Sequence, residues 1–293
     1  MKEVKVKGFE GKQIACYLWD DCVSPKGVVQ VIHGMQEHAT RYDEFAQFLN
    51  KMGYIVFASD LRGHGKTAES IEQLGHTHTD LFNEVVEDQK IIAEKLKKDY
   101  KKPLYVLGHS FGSFVTQRLI QVCHIHTKAI IVGSAYTKTL EMKLGKLIAN
   151  RICKKHGADT SATIIENMSF KKYGKRFDNG NWLTRDAKKF KEYQDDPYCG
   201  TPFPAGFYRS MFTNLVRNYE NIDKVSPNLH IFLIAGDQDP VGKNGKLVEK
   251  LCLAYKKAHK QVEMKLYHGG RHEILNETNR EQVYNDILDF IEK

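Results

Sequence analysis

Two kinds of segment alternate along this chain, and the alternation leaves few architectures open. Six short apolar runs lie at 28–32, 54–59, 104–107, 129–132, 231–235 and 262–266, rich in β-branched or aromatic residues and bounded by Gly, His, Asp or Ser. Between them, 42–52, 83–100, 111–122, 245–259 and 280–291 carry apolar residues at helical spacing among charges. A strand buried on both faces reads as a continuous apolar run, and a helix packed on it reads with a period near 3.6. Their alternation predicts an α/β fold: a mostly parallel sheet with helices on both faces. Residues 4–7 and 13–18 are expected to form an antiparallel hairpin at the sheet edge. The alternation lapses from 134 to 208, which predicts a cap inserted above a core made of 1–133 and 209–293.

One junction between these segments carries chemistry. Gly108-His109-Ser110-Phe111-Gly112 has the G-x-S-x-G form, with a strand pattern before it and a helical one after it. A nucleophilic serine on a sharp strand-to-helix turn has its hydroxyl exposed at the end of the sheet. Glycines on either side remove side chains that would clash there. The helix that follows points its N-terminus at the site, which favours developing negative charge.

A serine hydroxyl needs a general base. Of 13 histidines, His272 in Gly269-Gly270-Arg271-His272-Glu273 is the candidate, because it follows the last strand and precedes the last helix. Loops at the carboxyl ends of parallel strands share one rim. The third member should follow a strand between these two, in the chain order Ser, Asp, His. Gly236-Asp237-Gln238-Asp239-Pro240-Val241 offers both Asp237 and Asp239, and spacing does not separate them. Backbone N–H donors for an oxyanion are expected from Phe111, directly after the serine, and from Met35 in Val31-Ile32-His33-Gly34-Met35. No metal or organic cofactor is required.

Composition enters at two points. No run of 18 apolar residues is present, so no transmembrane helix is expected. The opening residues lack the apolar stretch of a signal peptide, which predicts a cytoplasmic protein. Six cysteines, without CxxC spacing, are expected as free thiols. The net charge is +8, and residues 134–210 alone carry 15 Lys and Arg against 8 Asp and Glu. The basic excess therefore sits in the expected cap. That segment has no nucleic-acid motif, and a solvated face or an attraction to anionic lipid accounts for it.

Together these segments resemble the monoacylglycerol lipase and lysophospholipase branch of the α/β-hydrolases. The resemblance rests on His33-Gly34-Met35-Gln36-Glu37-His38 with Arg41-Tyr42, Asp60-Leu61-Arg62-Gly63-His64-Gly65, and the serine, aspartate and histidine segments quoted above. It covers about 27–133 and 228–292. It implies an eight-stranded sheet, a helical cap forming an acyl tunnel, and Asp239, before Pro-Val, as the acid. It also implies that residues 60–65 form a structural turn. Phe111 and Ser113 depart from the Met and Gly usual in that family, and a bulkier Phe111 would narrow the site. The implied activity is hydrolysis of a monoacylglycerol or lysophospholipid ester through an acyl-enzyme on Ser110.

Other readings compete. The same triad would serve a short-chain carboxylesterase, a thioesterase or a peptidase, and the same fold would serve a non-catalytic binding protein. His76-Thr77-His78-Thr79-Asp80 has an H-x-H-x-D form, but two histidines are fewer than the three protein ligands usual at catalytic zinc.

Overall fold

The structure, a computed structural model, describes residues 1–293 with the exception of Phe170. Eight strands form one sheet: β1 Lys2–Lys7, β2 Gln13–Trp19, β3 Gly27–Ile32, β4 Tyr54–Ser59, β5 Leu104–His109, β6 Lys128–Val132, β7 His230–Gly236 and β8 Gln261–Tyr267. Their order is β1-β2-β4-β3-β5-β6-β7-β8. β1, β2 and β4 pair antiparallel, and every pair from β4 to β8 is parallel. This is the mostly parallel sheet that the alternation predicts, with the hairpin at its edge and the eight strands that the α/β-hydrolase resemblance implies.

From β3 to β7 the apolar runs are nearly continuous because both faces of the sheet are covered, while β8 at the edge is only partly buried. Along β5, Leu104 and Val106 join one core while Tyr105 and Leu107 join the other. Along β3, Val28 and Ile32 face the first core and Val29 and Val31 the second. Helices α1 Asp43–Lys51 and α10 Arg280–Glu292 close the second core with Phe45, Leu49, Ile287 and Phe290. Helices α2 Leu81–Tyr100, α3 Phe111–Val122 and α9 Lys246–Lys257 close the first with Val85, Val115 and Leu251. Each such fully buried side chain contributes about 1.5–3 kcal/mol relative to exposure.

Between β6 and β7 the chain leaves the sheet and forms α4 Leu140–His156, α5 Thr163–Met168, α6 Phe170–Gly174, α7 Ala187–Asp195 and α8 Ala205–Leu215. Thr139 caps α4, its hydroxyl accepting from the Met142 N–H at 3.3 Å, and Asp186 caps α7 by accepting from Lys188 and Lys189 N–H. The expected break at 208 falls inside α8. Within α8, Ser210 donates to Asp80 beside the start of α2, and Phe212 lies against Gly145 of α4.

Sheet order decides where a site can form. After β3 the chain moves to β4 on one side, and β5 lies on the other side of β3. The carboxyl ends of β3 and β5 therefore flank a point where connections leave in opposite directions, the usual crevice in open α/β sheets.

Candidate active site

Ser110 lies at that crevice, between β5 and α3, with φ +51° and ψ −116°. A non-glycine residue at positive φ is strained, and the surroundings hold it there. Ser110 N–H donates to the Val132 carbonyl at 3.0 Å, and the Ser110 carbonyl accepts from Ser113 N–H at 2.9 Å. A hydroxyl chain adds to this. Gln117 donates to Ser134 Oγ at 2.8 Å, Ser134 lies 2.8 Å from Ser113 Oγ, and Ser113 donates to the Ser110 carbonyl. A Cβ on Gly108 would strike Thr116 and the Gly112 carbonyl, and one on Gly112 would strike the carbonyls of Ile32 and His33. Both glycines are therefore required by close approach.

Three of the expected residues meet. Ser110 Oγ is 2.8 Å from His272 Nε2, and His272 Nδ1 is 3.0 Å from Asp239 Oδ1. Asp239 and His272 are 0% and 2% exposed. Asp239 Oδ1 also accepts from Val241 N–H at 2.9 Å, which fixes the carboxylate at the turn after β7. The turns after β7 and β8 touch through Gly236, which lies against the carbonyls of Gly270 and Arg271, and Gln238 N–H donates to the Gly270 carbonyl at 2.9 Å. Asp237 turns away from the triad. Its carboxylate accepts from Gly269 N–H at 2.8 Å and pairs with His268 at 3.0 Å. Geometry thus separates two aspartates that spacing leaves equivalent.

Met35 and Phe111 line the same cavity as Ser110. Phe111 begins α3, so its N–H has no partner within the helix. The Met35 N–H has no backbone acceptor among the described residues. Its orientation is set by His33, which accepts from Leu61 N–H at Nε2 and donates from Nδ1 to the Gly34 carbonyl at 2.7 Å. A trans peptide sends the following N–H away from that carbonyl. Burial pushes the His33 ring down to about 4 against the nearby Glu37 charge, so it stays neutral in that tautomer. The Phe111 ring does not simply fill the site. It is 2% exposed, packs edge-on to Phe82 at 5.7 Å, and lies 5.1 Å from Phe207 and 6.0 Å from His64.

Sequence spacing does not reveal the charge cluster beside the triad. Glu37 Oε1 accepts from Gly34 N–H at 2.6 Å and from Tyr42 O–H at 3.0 Å, and lies 3.0 Å from His109 Nδ1. Arg41 donates to Glu37 at 2.7 Å and to both oxygens of Glu273 at 2.9 and 2.7 Å. Burial opposes charge on Glu37, but His109 and Arg41 outweigh it and hold the carboxyl well below its usual range. Glu273 is held low by Arg41 in the same way, again against burial. The available signal was the opposite charge of Glu37 and Arg41 four residues apart.

The cavity over Ser110 holds about 460 Å³ and lies between the core and α4, α5, α6 and α8. Its walls are mostly apolar, including Phe114, Met142, Ile148, Ile165, Met211 and Leu247. Lys172 and Arg176 reach it from one side.

The competing metal string does not converge. His76 and His78 pair with Asp159 at 2.8 and 3.1 Å on the surface, while Asp80 accepts from Ser210 and Asn214. Residues 60–65 form a turn: Asp60 accepts from Ala39 N–H at 2.9 Å and Lys66 N–H at 2.8 Å, bracing the loop after β3. All six cysteines are free thiols. No helix among the described residues is long and apolar enough to cross a membrane.

Known proteins match this chain along nearly its whole length. The family described as serine aminopeptidase, S33, matches residues 23–279. A monoglyceride lipase of Rattus norvegicus is 34% identical across 95% of this chain and 85% of its own length. A monoacylglycerol lipase of Mycolicibacterium smegmatis is 26% identical across 97% of this chain and 94% of its own. Among solved structures, a thermostable carboxyl esterase from Bacillus coagulans superposes with a TM-score of 0.88 at 27% identity, covering 99% of this chain and 97% of that one. The chain belongs to the serine aminopeptidase S33 family of α/β-hydrolases, together with the monoglyceride lipases, and is a serine ester hydrolase.

Proposed function

We propose that the chain hydrolyses monoacylglycerol or lysophospholipid esters, with Ser110 as nucleophile, His272 as general base and acid, and Asp239 as the residue that orients the imidazole. One observation carries this reading: the Ser110–His272–Asp239 hydrogen-bonded chain opens into an apolar cavity of about 460 Å³. That volume is within the range of small-molecule sites, and apolar walls suit an acyl chain.

In the proposed mechanism Ser110 Oγ attacks the ester carbonyl as its proton passes to His272 Nε2. Asp239 accepts from Nδ1–H and stabilises the imidazolium. The N–H groups of Met35 and Phe111 hold the oxyanion, and one such donor is worth about 2.7–4 kcal/mol in the transition state. The intermediate collapses, His272 gives its proton to the leaving alkoxide, and the acyl group stays on Ser110. Water, losing its proton to His272, then attacks the acyl-enzyme and releases the acid.

The 134–208 segment serves as a cap in this reading, and it meets lipid. Leu140 and Leu147 on α4 are 80% and 64% exposed, with Ile164 and Met168 of α5 also exposed, while Met142 and Ile148 of α4 line the cavity. Lys143, Lys146, Lys154 and Lys155 share α4. Exposed apolar residues with lysines suit a helix lying on an anionic lipid surface.

The test is fluorophosphonate labelling followed by an ester panel graded in chain length, with thioester, aminoacyl amide and lysophospholipid members. Labelling should vanish in Ser110→Ala, and turnover should favour monoacylglycerols or lysophospholipids over short acyl esters. Labelling that survives Ser110→Ala refutes the nucleophile. Vesicle co-sedimentation checks the cap: binding should need anionic lipid and weaken with salt, and equal binding to neutral vesicles refutes it.

A further inference from the structure

We infer that His109 is a fixed imidazolium and a positioning residue for hydrolysis, holding the oxyanion loop through Glu37 and the base loop through the His272 carbonyl. The inference rests on the triad reading above for what those loops do. The hydrogen bonds themselves do not depend on it.

The first argument is a count of donors. His109 Nδ1 is 3.0 Å from Glu37 Oε1, and Nε2 is 3.3 Å from the backbone oxygen of His272. A carboxylate and a carbonyl only accept. A neutral imidazole has one N–H, so one nitrogen would set a lone pair against an oxygen lone pair. Only the doubly protonated ring satisfies both contacts. His109 is 4% exposed, so bulk solvent has little access to either contact.

The second argument is charge balance. His109, Glu37, Arg41 and Glu273 form one buried cluster. With a charged His109 it holds two cations and two anions. With a neutral one it holds a net negative charge away from water, which is costly. The other groups facing it do not supply the missing cation. His33 is pushed down to about 4, and burial raises the Tyr42, Tyr193 and Cys199 side chains, which stay neutral. Asp239 lies beyond the His272 ring. Burial opposes the charge on His109, but the Glu37 hydrogen bond and charge, with Glu273 and the His272 carbonyl, raise it from the ordinary histidine value.

The cluster touches a neighbour of each proposed catalytic element. His109 precedes Ser110, Glu37 accepts from Gly34 N–H beside Met35, and Glu273 follows His272. The His109 and His272 rings are 4.9 Å apart. Losing the proton removes the bond to the His272 carbonyl and unbalances the cluster. A histidine raised in the folded state contributes fully at low pH, and that contribution is lost as pH rises through the raised value. An alkaline limit on turnover follows.

Two experiments test this. Long-range 1H–15N spectra of histidine-labelled Ser110→Ala protein at pH 7.5 should show both ring nitrogens of His109 protonated; one bare nitrogen overturns the inference, whether or not any variant folds. Steady-state profiles should show an alkaline limb in kcat. His109→Gln should lose that limb, with kcat about tenfold lower and KM within about threefold, and Glu37→Gln should move it down by about one pH unit or more. A limb unchanged in both variants overturns the inference. A Ser110→Ala protein that still turned over ester would sink the triad reading, whereas the protonation of His109 would still stand or fall by the spectrum alone.

Discussion

Replacing Arg41 with Met keeps most of the stem and removes the charge that joins two buried carboxylates. The wild-type Arg41 side chain is 10% exposed and its guanidinium makes three hydrogen bonds, one to Glu37 and two to Glu273. Without it, Glu37 keeps His109, but Glu273 keeps only neutral partners such as the Asn276 amide. Removing one partner from a buried pair costs about 3–5 kcal/mol, because the remaining charge stays desolvated. Unfolding entropy of about 2.1 cal/mol/K per residue over 293 residues is about 0.6 kcal/mol per degree, so Tm should fall by about 5–8 °C. The sign of the pH effect follows from the same geometry. In the wild type the two carboxyls are held low, so their contribution is present above about 4.3 and lost as pH falls through the folded values. In the variant, burial is no longer offset at Glu273 and its carboxyl rises above the unfolded value. Acidification then relieves the strain instead of adding to it. The gap between the proteins, measured by urea unfolding at pH 7.5 and 5.0, should narrow by about 1 kcal/mol or more at the lower pH. A loss below about 1 kcal/mol, or a gap unchanged with pH, would refute the buried-pair argument.

Three further outcomes follow from the site. Asp239→Asn should lower kcat/KM on an activated ester by about 10⁴-fold with Tm within a few degrees, since the amide favours the wrong imidazole tautomer; a drop under tenfold would contradict it. Asp237→Asn should change the same rate by no more than about twofold, in keeping with substitutions of about 0.5 kcal/mol outside the reacting groups. Gly112→Ala should destabilise by about 1–3 kcal/mol and abolish labelling by fluorophosphonate, because its methyl meets the Ile32 and His33 carbonyls behind the elbow; a stable, fully labelled variant would show that the elbow tolerates the contact.

Local pattern carried much of this protein. The strands from β3 to β7 were legible because each is buried on both faces and reads as a nearly unbroken apolar run, whereas β8, an edge strand, alternates apolar residues with Glu263 and Lys265. The Ser110 turn was legible because a sharp strand-to-helix turn needs glycines two residues either side, and the meeting of His272 with Ser110 because loops after parallel strands share a rim. These are short-range requirements of backbone geometry. The tertiary structure decided the rest, where the requirement is long-range. Asp237 and Asp239 belong to one turn with the same chemistry. They part only because the β8 loop offers Gly269 N–H to the first and the His272 ring to the second. Arg41 meets Glu273 across 232 positions, and no periodicity announces such a pair. The helices between β6 and β7 pack on one another as well as on the core, α4 against α8 and α5 against α6, so the shape of the cavity over Ser110 comes only from how they fold back together.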